Sequence, residues 1–405
     1  MSISLPLSEK QMAILLALMV AILPLSIDAY LPALPDLARD LQADIHHIEK
    51  SLSMFMFGVA LGQLTGGSWS DIKGRRVVAL GGLAVYAVST LAIVLAQTAD
   101  QLLLLRFVQA VGGGMAVVMS GAVVRDFFTG RQAAQMFALI GIVMMAAPLL
   151  APMIGSVLQI IGGWRLIFGF LMAYAVLVFA LLWKFLPNSG GGGQFDRYFV
   201  INILRRYQQV LRTKIALGFL FFQAFSFGCL FVFVTESPFV YMNLYGLSSS
   251  AYAWAFGCNI VTMGTFNRIT AWRLKRGSNA EDILLWGLGI QLLANVLLVL
   301  LVLSSADLPP FAAVVACVMF AVGTQGLITA NTQACFMSHF KEAGGTANAV
   351  LMASTSIIGA FMGWLATELH NGTIYIMPSL MLASTLTGVI LLFALSRQTW
   401  RNKKM

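Results

Sequence analysis

Apolar stretches of about twenty residues, each long enough to cross a bilayer as a helix, recur along this whole chain and leave room for few other folds. They centre near residues 21, 59, 87, 113, 145, 175, 228, 261, 293, 322, 355 and 385. Hydrophobic residues make up 59% of the 405-residue sequence and charged residues 10%, whereas a soluble domain carries about a quarter charged residues. In hydrocarbon every backbone N–H and C=O must be satisfied within the protein, so runs of this length are read as helices. The expected fold is therefore an all-α polytopic membrane protein with twelve transmembrane helices. The first span is too long for a signal-peptide core and lacks a small-residue cleavage site, so it is read as retained.

The formal charge of +9 is distributed unevenly. Lys73, Arg75 and Arg76 fall in one gap between spans, and Arg268, Arg273, Lys275 and Arg276 in another. Arg205, Arg206, Arg212 and Lys214 fall between the sixth and seventh spans, and Arg397, Arg401, Lys403 and Lys404 follow the last. Arg39, Lys50 and Arg165 lie on the opposite side, and Arg106 lies within a span. Such a bias orients a multi-pass protein with its basic loops and both termini in the cytoplasm. The basicity thus marks orientation, and no nucleic-acid partner is expected. Cys229, Cys258, Cys317 and Cys335 all sit in apolar spans without CxxC spacing, as small buried hydrophobes do. Neither a disulfide framework nor a metal site is indicated.

After Pro187 comes Asn188-Ser189 followed by four glycines to Gly193, which is linker composition. A stretch mixing Phe195, Tyr198, Phe199 and Tyr207 with Arg197, Arg205 and Arg206 follows, as suits a helix lying in the headgroup layer. The expected organisation is a six-helix bundle over 1–187, a cytoplasmic linker with a possible interfacial helix over 188–214, and a second six-helix bundle over 215–405. A faint echo relates the halves. Asp28 precedes Pro32 late in the first span, and Glu236 precedes Pro238 late in the seventh.

Charges inside hydrocarbon are costly and mark function. Three stand out: Asp28, Arg106 and Glu236. At the helical rise, Asp28 and Arg106 lie at about 6 and 9 Å from the same face of the membrane, so the two can neutralise one another. Burial favours a protonated carboxyl and a neighbouring guanidinium the ionised one, which suits a proton carrier. Glu236 lies close enough to the interface that a solvated helix-end acid fits as well as a functional one. The run Gly112-Gly113-Gly114, and Pro148, Pro152 and Gly155 in the fifth span, allow close helix approach and bending.

The segment Gly67-x-x-x-Asp71-x-x-Gly74-Arg75-Arg76 resembles the loop between helices 2 and 3 of the major facilitator superfamily. Asp28-Ala29-Tyr30-Leu31-Pro32, Arg106-Phe107-Val108-Gln109, Gly163-Trp164-Arg165, Ser237-Pro238-Phe239-Val240 and Gly345-Thr346-Ala347 resemble the Bcr/CflA branch of drug:proton antiporters. The resemblance implies two rocking helix bundles and proton-coupled efflux of small amphiphilic drugs of the phenicol, bicyclomycin or sulfonamide kind across the bacterial inner membrane. It implies proton coupling at Asp28 and Arg106, with Glu236 a further candidate, and an inner gate formed by Gly67, Asp71, Gly74, Arg75 and Arg76. Asp71 would face the residues near Glu342 to Gly345, and Arg75 or Arg76 would pair with Asp126. The span around Pro148, Pro152 and Gly155 resembles the exporters' conformational motif, although Ala147 stands where that motif has glycine. Val20 replaces an acid that some multidrug relatives carry, and Glu236 stands where a small neutral residue is expected.

Flexible methionines, aromatic faces and a few amides suit a pocket for varied lipophilic ligands. Tyr30, Gln109, Met144, Met145, Phe225, Asn259, Gln325 and Asn331 are the substrate-binding candidates. The chain has no HExxH, GxSxG or GxxxxGK[ST], so neither an enzyme nor an ATP-driven pump is indicated. The expected partners are a small lipophilic substrate, protons and the lipid bilayer, with no cofactor beyond the proton gradient and a monomeric state. Export or import of an endogenous metabolite or siderophore is the alternative.

Overall fold

Small polar residues open the long apolar runs by capping helix N-termini. Ser8 forms a reciprocal capping box with Gln11 and opens α1, Glu9–Asp28. The Asp44 carboxylate accepts the His46 N–H at 2.8 Å and opens α3, Ile45–Lys73. Thr98 accepts the Gln101 N–H at 3.3 Å ahead of α5, Ala99–Phe127. Ser248 accepts the Ala251 N–H at 3.2 Å ahead of α8, Ser249–Lys275.

The computed structural model describes residues 7–128, 130–191, 208–305, 307–340 and 344–396. In the first part of the chain, a 3₁₀ turn at Leu31–Ala33 leads into the short α2, Leu34–Asp40. After α3 come α4, Arg75–Val94, then α5, then α6, Gly130–Phe185. Gly162 and Gly163, the latter at φ 69°, break α6 into limbs at 130–161 and 164–185. The second part holds α7, Lys214–Pro238, a π turn at Phe239–Leu244, and α8. It continues with α9, Ala280–Ser304; α10, Phe311–Gly323; α11, Gln325–Met337; α12, Gly344–Leu369; and α13, Ile376–Leu395. Among the described residues there is no strand.

Nine of the described helical runs are long and apolar enough to cross a membrane, with mean hydropathies from 1.7 to 2.5. One of the nine is α6, which supplies two limbs, while α3 and α8, 29 and 27 residues long, are not among the nine. With α10 and α11 taken as one broken run, the spans agree with a twelve-helix plan, and every centre read from the sequence falls in a helix. The chain divides into two compact units, Met1–Ile201 and Asn202–Met405.

In the first unit α5 is the central helix, and its glycine run explains how. A Cβ at Gly112 would lie 2.5 Å from the Gly82 carbonyl oxygen of α4, and one at Gly114 would lie 2.6 Å from the Val59 carbonyl of α3. A Cβ at Gly113 would lie 3.1 Å from the Leu23 side chain of α1. Three successive residues thus admit three different helices, as interfaces in lipid demand where packing replaces hydrophobic drive. In the second unit α7 holds the matching position, packed on α13, α12 and α11. There the Ser384 hydroxyl donates to the Phe225 carbonyl at 2.6 Å, and Phe219, Phe222, Ile328 and Phe336 fill the core.

The polar segment 67–76, expected as a loop, is almost wholly helical. Its residues to Lys73 complete α3, Gly74 alone turns at φ 91°, and Arg75 begins α4. The reach of α3 is set by its Asp44 cap, which adds eight polar-rich residues ahead of the apolar stretch from Ser53. The Arg75 N–H, freed by the turn, donates to the Ser189 carbonyl at 2.8 Å, so the start of the linker lies on this corner. Most of the expected interfacial helix, including Arg197, Arg205 and Arg206, lies outside the described residues, as do Lys341 to Ala343 and the terminal bases from Arg397.

Candidate functional site

Asp28 is the last residue of α1 and its only charged residue after Lys10. It is 6% exposed and has no hydrogen bond or ion pair with another described residue. Just beyond it, Gly155 of α6 meets the Ala29 carbonyl so closely that no Cβ could fit. That is why the fifth span carries glycine there, one turn after Pro152.

Arg106 is fully buried in α5. Its Nη1 donates to Gln109 Oε1 at 2.7 Å and its Nη2 to the Ser26 carbonyl at 2.9 Å. The guanidinium stacks over Phe55 at 4.1 Å, Tyr30 at 4.5 Å and Phe168 at 5.7 Å. The expected direct neutralisation of Asp28 by Arg106 is therefore not made. The last turn of a helix leaves carbonyls without helical partners, and the negative end of its dipole attracts cations. Arg106 takes up that role for α1, and its aromatic cage supplies the rest of its stabilisation.

The residues around Arg106 extend this network, although its own Nε has no hydrogen-bond partner among the described residues. Gln109 passes the chain on, its Nε2 donating to Thr90 Oγ1 at 2.7 Å, so both ends of its amide are engaged within the unit. Tyr30 is wholly buried with its hydroxyl 2.9 Å from Ser51 Oγ. Tyr86 Oη lies 2.5 Å from Ser26 Oγ, which also donates to the Ile22 carbonyl at 2.5 Å. These placements make Tyr30 and Gln109 supports of Arg106. At the start of α3, Glu49 is fully buried with Oε2 2.8 Å from His46 Nδ1, a pair that the sequence reading does not single out.

At the corner of α3 and α4, Arg75 Nη1 donates to Asp71 at 2.6 Å and to Ser70, while its Nε donates to Asp126 at 3.2 Å. Arg76 donates to the Trp183 carbonyl and lies 5.8 Å over its ring. Gly67 has open space where a Cβ would stand. The expected partner of Asp71 near Glu342 lies outside the described residues.

In the second unit the sequence candidates divide. Asn259 and Asn331 are buried and bond backward to their own helices, Asn331 Nδ2 to the Leu327 carbonyl at 2.6 Å. Gln325 sits at the break between α10 and α11 and reaches Ser226 Oγ at 2.9 Å. Ser226 Oγ in turn donates to Gln291 Oε1 at 3.0 Å, and Thr329 links Gln325 to Gln223. Phe225 is half-buried against Gly388 of α13. In the first unit Met144 is 48% exposed, and the Met145 side chain lies outside the described residues.

Glu236, for which a solvated helix-end acid is one of the two expectations, is 0% exposed. Its Oε2 lies 3.0 Å from Nδ1 of His370, the residue after α12, and its Oε1 has no hydrogen-bond partner among the described residues. The Phe239 ring meets the imidazole edge-on at 4.4 Å. No sequence signal pairs a lone histidine with an acid 134 positions away; only the fold does.

Two helical units that each bury ionisable side chains in an apolar bundle define a polytopic membrane transporter rather than an enzyme. The Major Facilitator Superfamily profile matches residues 16–364, and the chain belongs to that family. It is 31% identical over 380 residues to the bicyclomycin resistance protein homolog of Haemophilus influenzae, covering 94% of each chain. It is 28% identical to the chloramphenicol resistance protein of Pseudomonas aeruginosa over 68% of this chain and 64% of that one. Its fold matches the xylose transporter XylE from E. coli, in a partially occluded inward open conformation, with a TM-score of 0.70 at 13% identity, covering 94% of this chain and 96% of that one.

Proposed function

We propose that this protein exports small amphiphilic drugs of the bicyclomycin, phenicol or sulfonamide kind across the bacterial inner membrane in exchange for protons. The observation that carries the reading is Asp28: a nearly buried carboxyl, slightly exposed and without a partner among the described residues, at the end of an apolar helix. A carboxyl bound tightly in an ion pair is held ionised, whereas one without a partner is free to take and lose a proton as its surroundings change. Arg106, held by Gln109 and the Ser26 carbonyl, fixes the end of α1 and sets the field around Asp28. Exchange follows if ionised Asp28 favours drug entry and protonated Asp28 favours return. The relatives named for bicyclomycin and chloramphenicol resistance support the substrate class.

The corner of Asp71, Gly74, Arg75 and Arg76 serves as the gate on the cytoplasmic side, which also holds both termini. Pro148, Pro152 and Gly155 let α6 bend beside α1. Met144 and Phe225, whose side chains are not wholly enclosed, and Gln325 at its helix break are the remaining substrate contacts in a monomeric transporter.

Proton release on addition of chloramphenicol to the purified protein in detergent tests this. The wild type is expected to release protons and Asp28→Asn to release none. Equal release from both would remove Asp28 as the coupling site.

A further inference from the structure

We propose that the exposed end of α8, together with Trp286 of α9, binds the headgroup of an anionic phospholipid. The site stands apart from the buried acids and does not rest on the export reading.

The end of α8 is graded along one face. Ile269, Trp272, Arg273 and Arg276 follow the i, i+3, i+4, i+7 spacing that sets side chains on one side of a helix, and all four are exposed. At the helical rise they span about 10 Å, running from apolar through aromatic to basic. A membrane surface presents the same gradient over such a depth. Acyl chain gives way to the interfacial layer where tryptophan collects, and that layer to phosphate. Leu274 and Trp286, 43% and 64% exposed, add apolar surface beside this face.

The two guanidiniums are held in place but not neutralised. That of Arg276 lies 3.9 Å over the Trp272 ring, and that of Arg273 lies 5.7 Å over the Trp286 ring. Stacking occupies the flat faces and leaves the N–H edges, which can grip two phosphate oxygens at once. Neither side chain forms an ion pair with a described residue. Arg268 and Lys275, also exposed, bring the local count to four bases, against the two acids of the first α9 turn, Glu281 and Asp282. The C-terminus of a helix offers about half a negative charge, well short of that excess. The corner of α3 and α4 shows the other solution, for there Arg75 meets Asp71 at 2.6 Å and Asp126 at 3.2 Å. At the end of α8 the described residues supply no such anion.

A lipid phosphate suits this surface better than a free one. Inorganic phosphate would leave Ile269 and both indoles wet, whereas the glycerol and acyl chains of a lipid cover them. The excess of positive charge selects an anionic headgroup over a zwitterionic one, because each base near an anionic surface strengthens the attachment. Bound there, the phosphate joins Arg276 of α8 to Arg273 at the α9 indole and braces this helix pair, as Asp71 and Asp126 brace theirs.

Native mass spectrometry of the purified full-length protein, offered phosphatidylglycerol and phosphatidylcholine in equal amounts, tests the site. The wild type is expected to retain phosphatidylglycerol preferentially. Arg273→Gln combined with Arg276→Gln should weaken that retention by about thirtyfold, since each base near an anionic surface is worth about fivefold. Arg39→Gln combined with Arg165→Gln removes as many charges elsewhere, from arginines already paired with Asp36 and Asp40, and should leave retention intact. Equal retention of the two lipids by the wild type would overturn the proposal. An equal loss in both double variants would overturn it as well, by showing attraction to overall charge alone. Excess inorganic phosphate is expected to leave the lipid bound; its displacement would make this a site for a free anion and overturn the assignment to lipid.

Discussion

The two buried acids near helix ends, Asp28 in the first unit and Glu236 in the second, are handled in opposite ways. Asp28 stays without a hydrogen-bond or ion-pair partner among the described residues and keeps 6% exposure, while the nearby guanidinium of Arg106 is spent on a carbonyl, a glutamine and three aromatic rings. Glu236 is enclosed completely and bound to an imidazole at 3.0 Å. The difference teaches that a bundle can admit a charge either by leaving it at the edge of the enclosed volume or by matching it inside. The first arrangement makes a carboxyl responsive at little structural cost. The second ties the acid to the packing of two helices, so the same substitution has different consequences at the two sites.

The largest expected effect follows from breaking the enclosed pair. His370→Ala leaves Glu236 with neither oxygen bonded among the described residues and should cost about 3–5 kcal/mol of stability, the range for stranding a buried charge. Thermal unfolding in detergent measures it. A loss as small as that of a surface change would mean that Glu236 is reached by water. Next in size, Arg106→Ala removes the donor to Gln109 Oε1 and to the Ser26 carbonyl. Two buried acceptors left unmet predict a loss of about 2–3 kcal/mol, and Arg106→Lys should recover only part of it because an ammonium cannot reproduce the planar fork.

How much of this was legible in the sequence follows the range of the forces involved. The spans were legible because hydropathy is a local sum, and the Gly112-Gly113-Gly114 run announced close packing because only glycine allows it. Asp28, Arg106 and Glu236 stood out because charge in hydrocarbon is rare. Their partners did not. Depth along two helices places Asp28 and Arg106 at one level, but rotation about each helix axis decides contact, and it turned Arg106 to Ser26. Glu49 was hidden because the start of α3 reads as polar, and its cap at Asp44 sits eight residues ahead of the apolar run from Ser53. His370 lay beyond any local pattern. Segment 67–76 read as a loop because charge usually breaks a span, whereas helix propensity carried α3 to Lys73 and left the turn to Gly74.

Between the two extremes lies the corner of α3 and α4. Arg75 is 17% exposed and serves Asp71 and Asp126, which are 53% and 28% exposed. Partly solvated pairs of this kind contribute about 1 kcal/mol or less, so Arg75→Gln should lower stability by about that amount and drug export by far more if the corner is a gate. Efflux of chloramphenicol from cells, set beside the unfolding curve, separates the two. Export that falls only in proportion to stability would make the corner a structural brace.

The smallest stability effect is expected where the functional effect is greatest. Asp28 makes no hydrogen bond or ion pair with a described residue, so Asp28→Asn deletes no contact and replaces a group that is costly to bury when charged by a neutral one of the same shape. Its unfolding temperature should match the wild type, corresponding to a change within about 0.5 kcal/mol, while proton-driven drug transport is lost. Glu236→Gln provides the contrast, since that carboxylate is matched by His370 and its replacement alters a packed pair. Were Asp28→Asn to destabilise the protein as much as His370→Ala, Asp28 would have a structural partner after all, and the distinction between a responsive acid and an enclosed one would collapse.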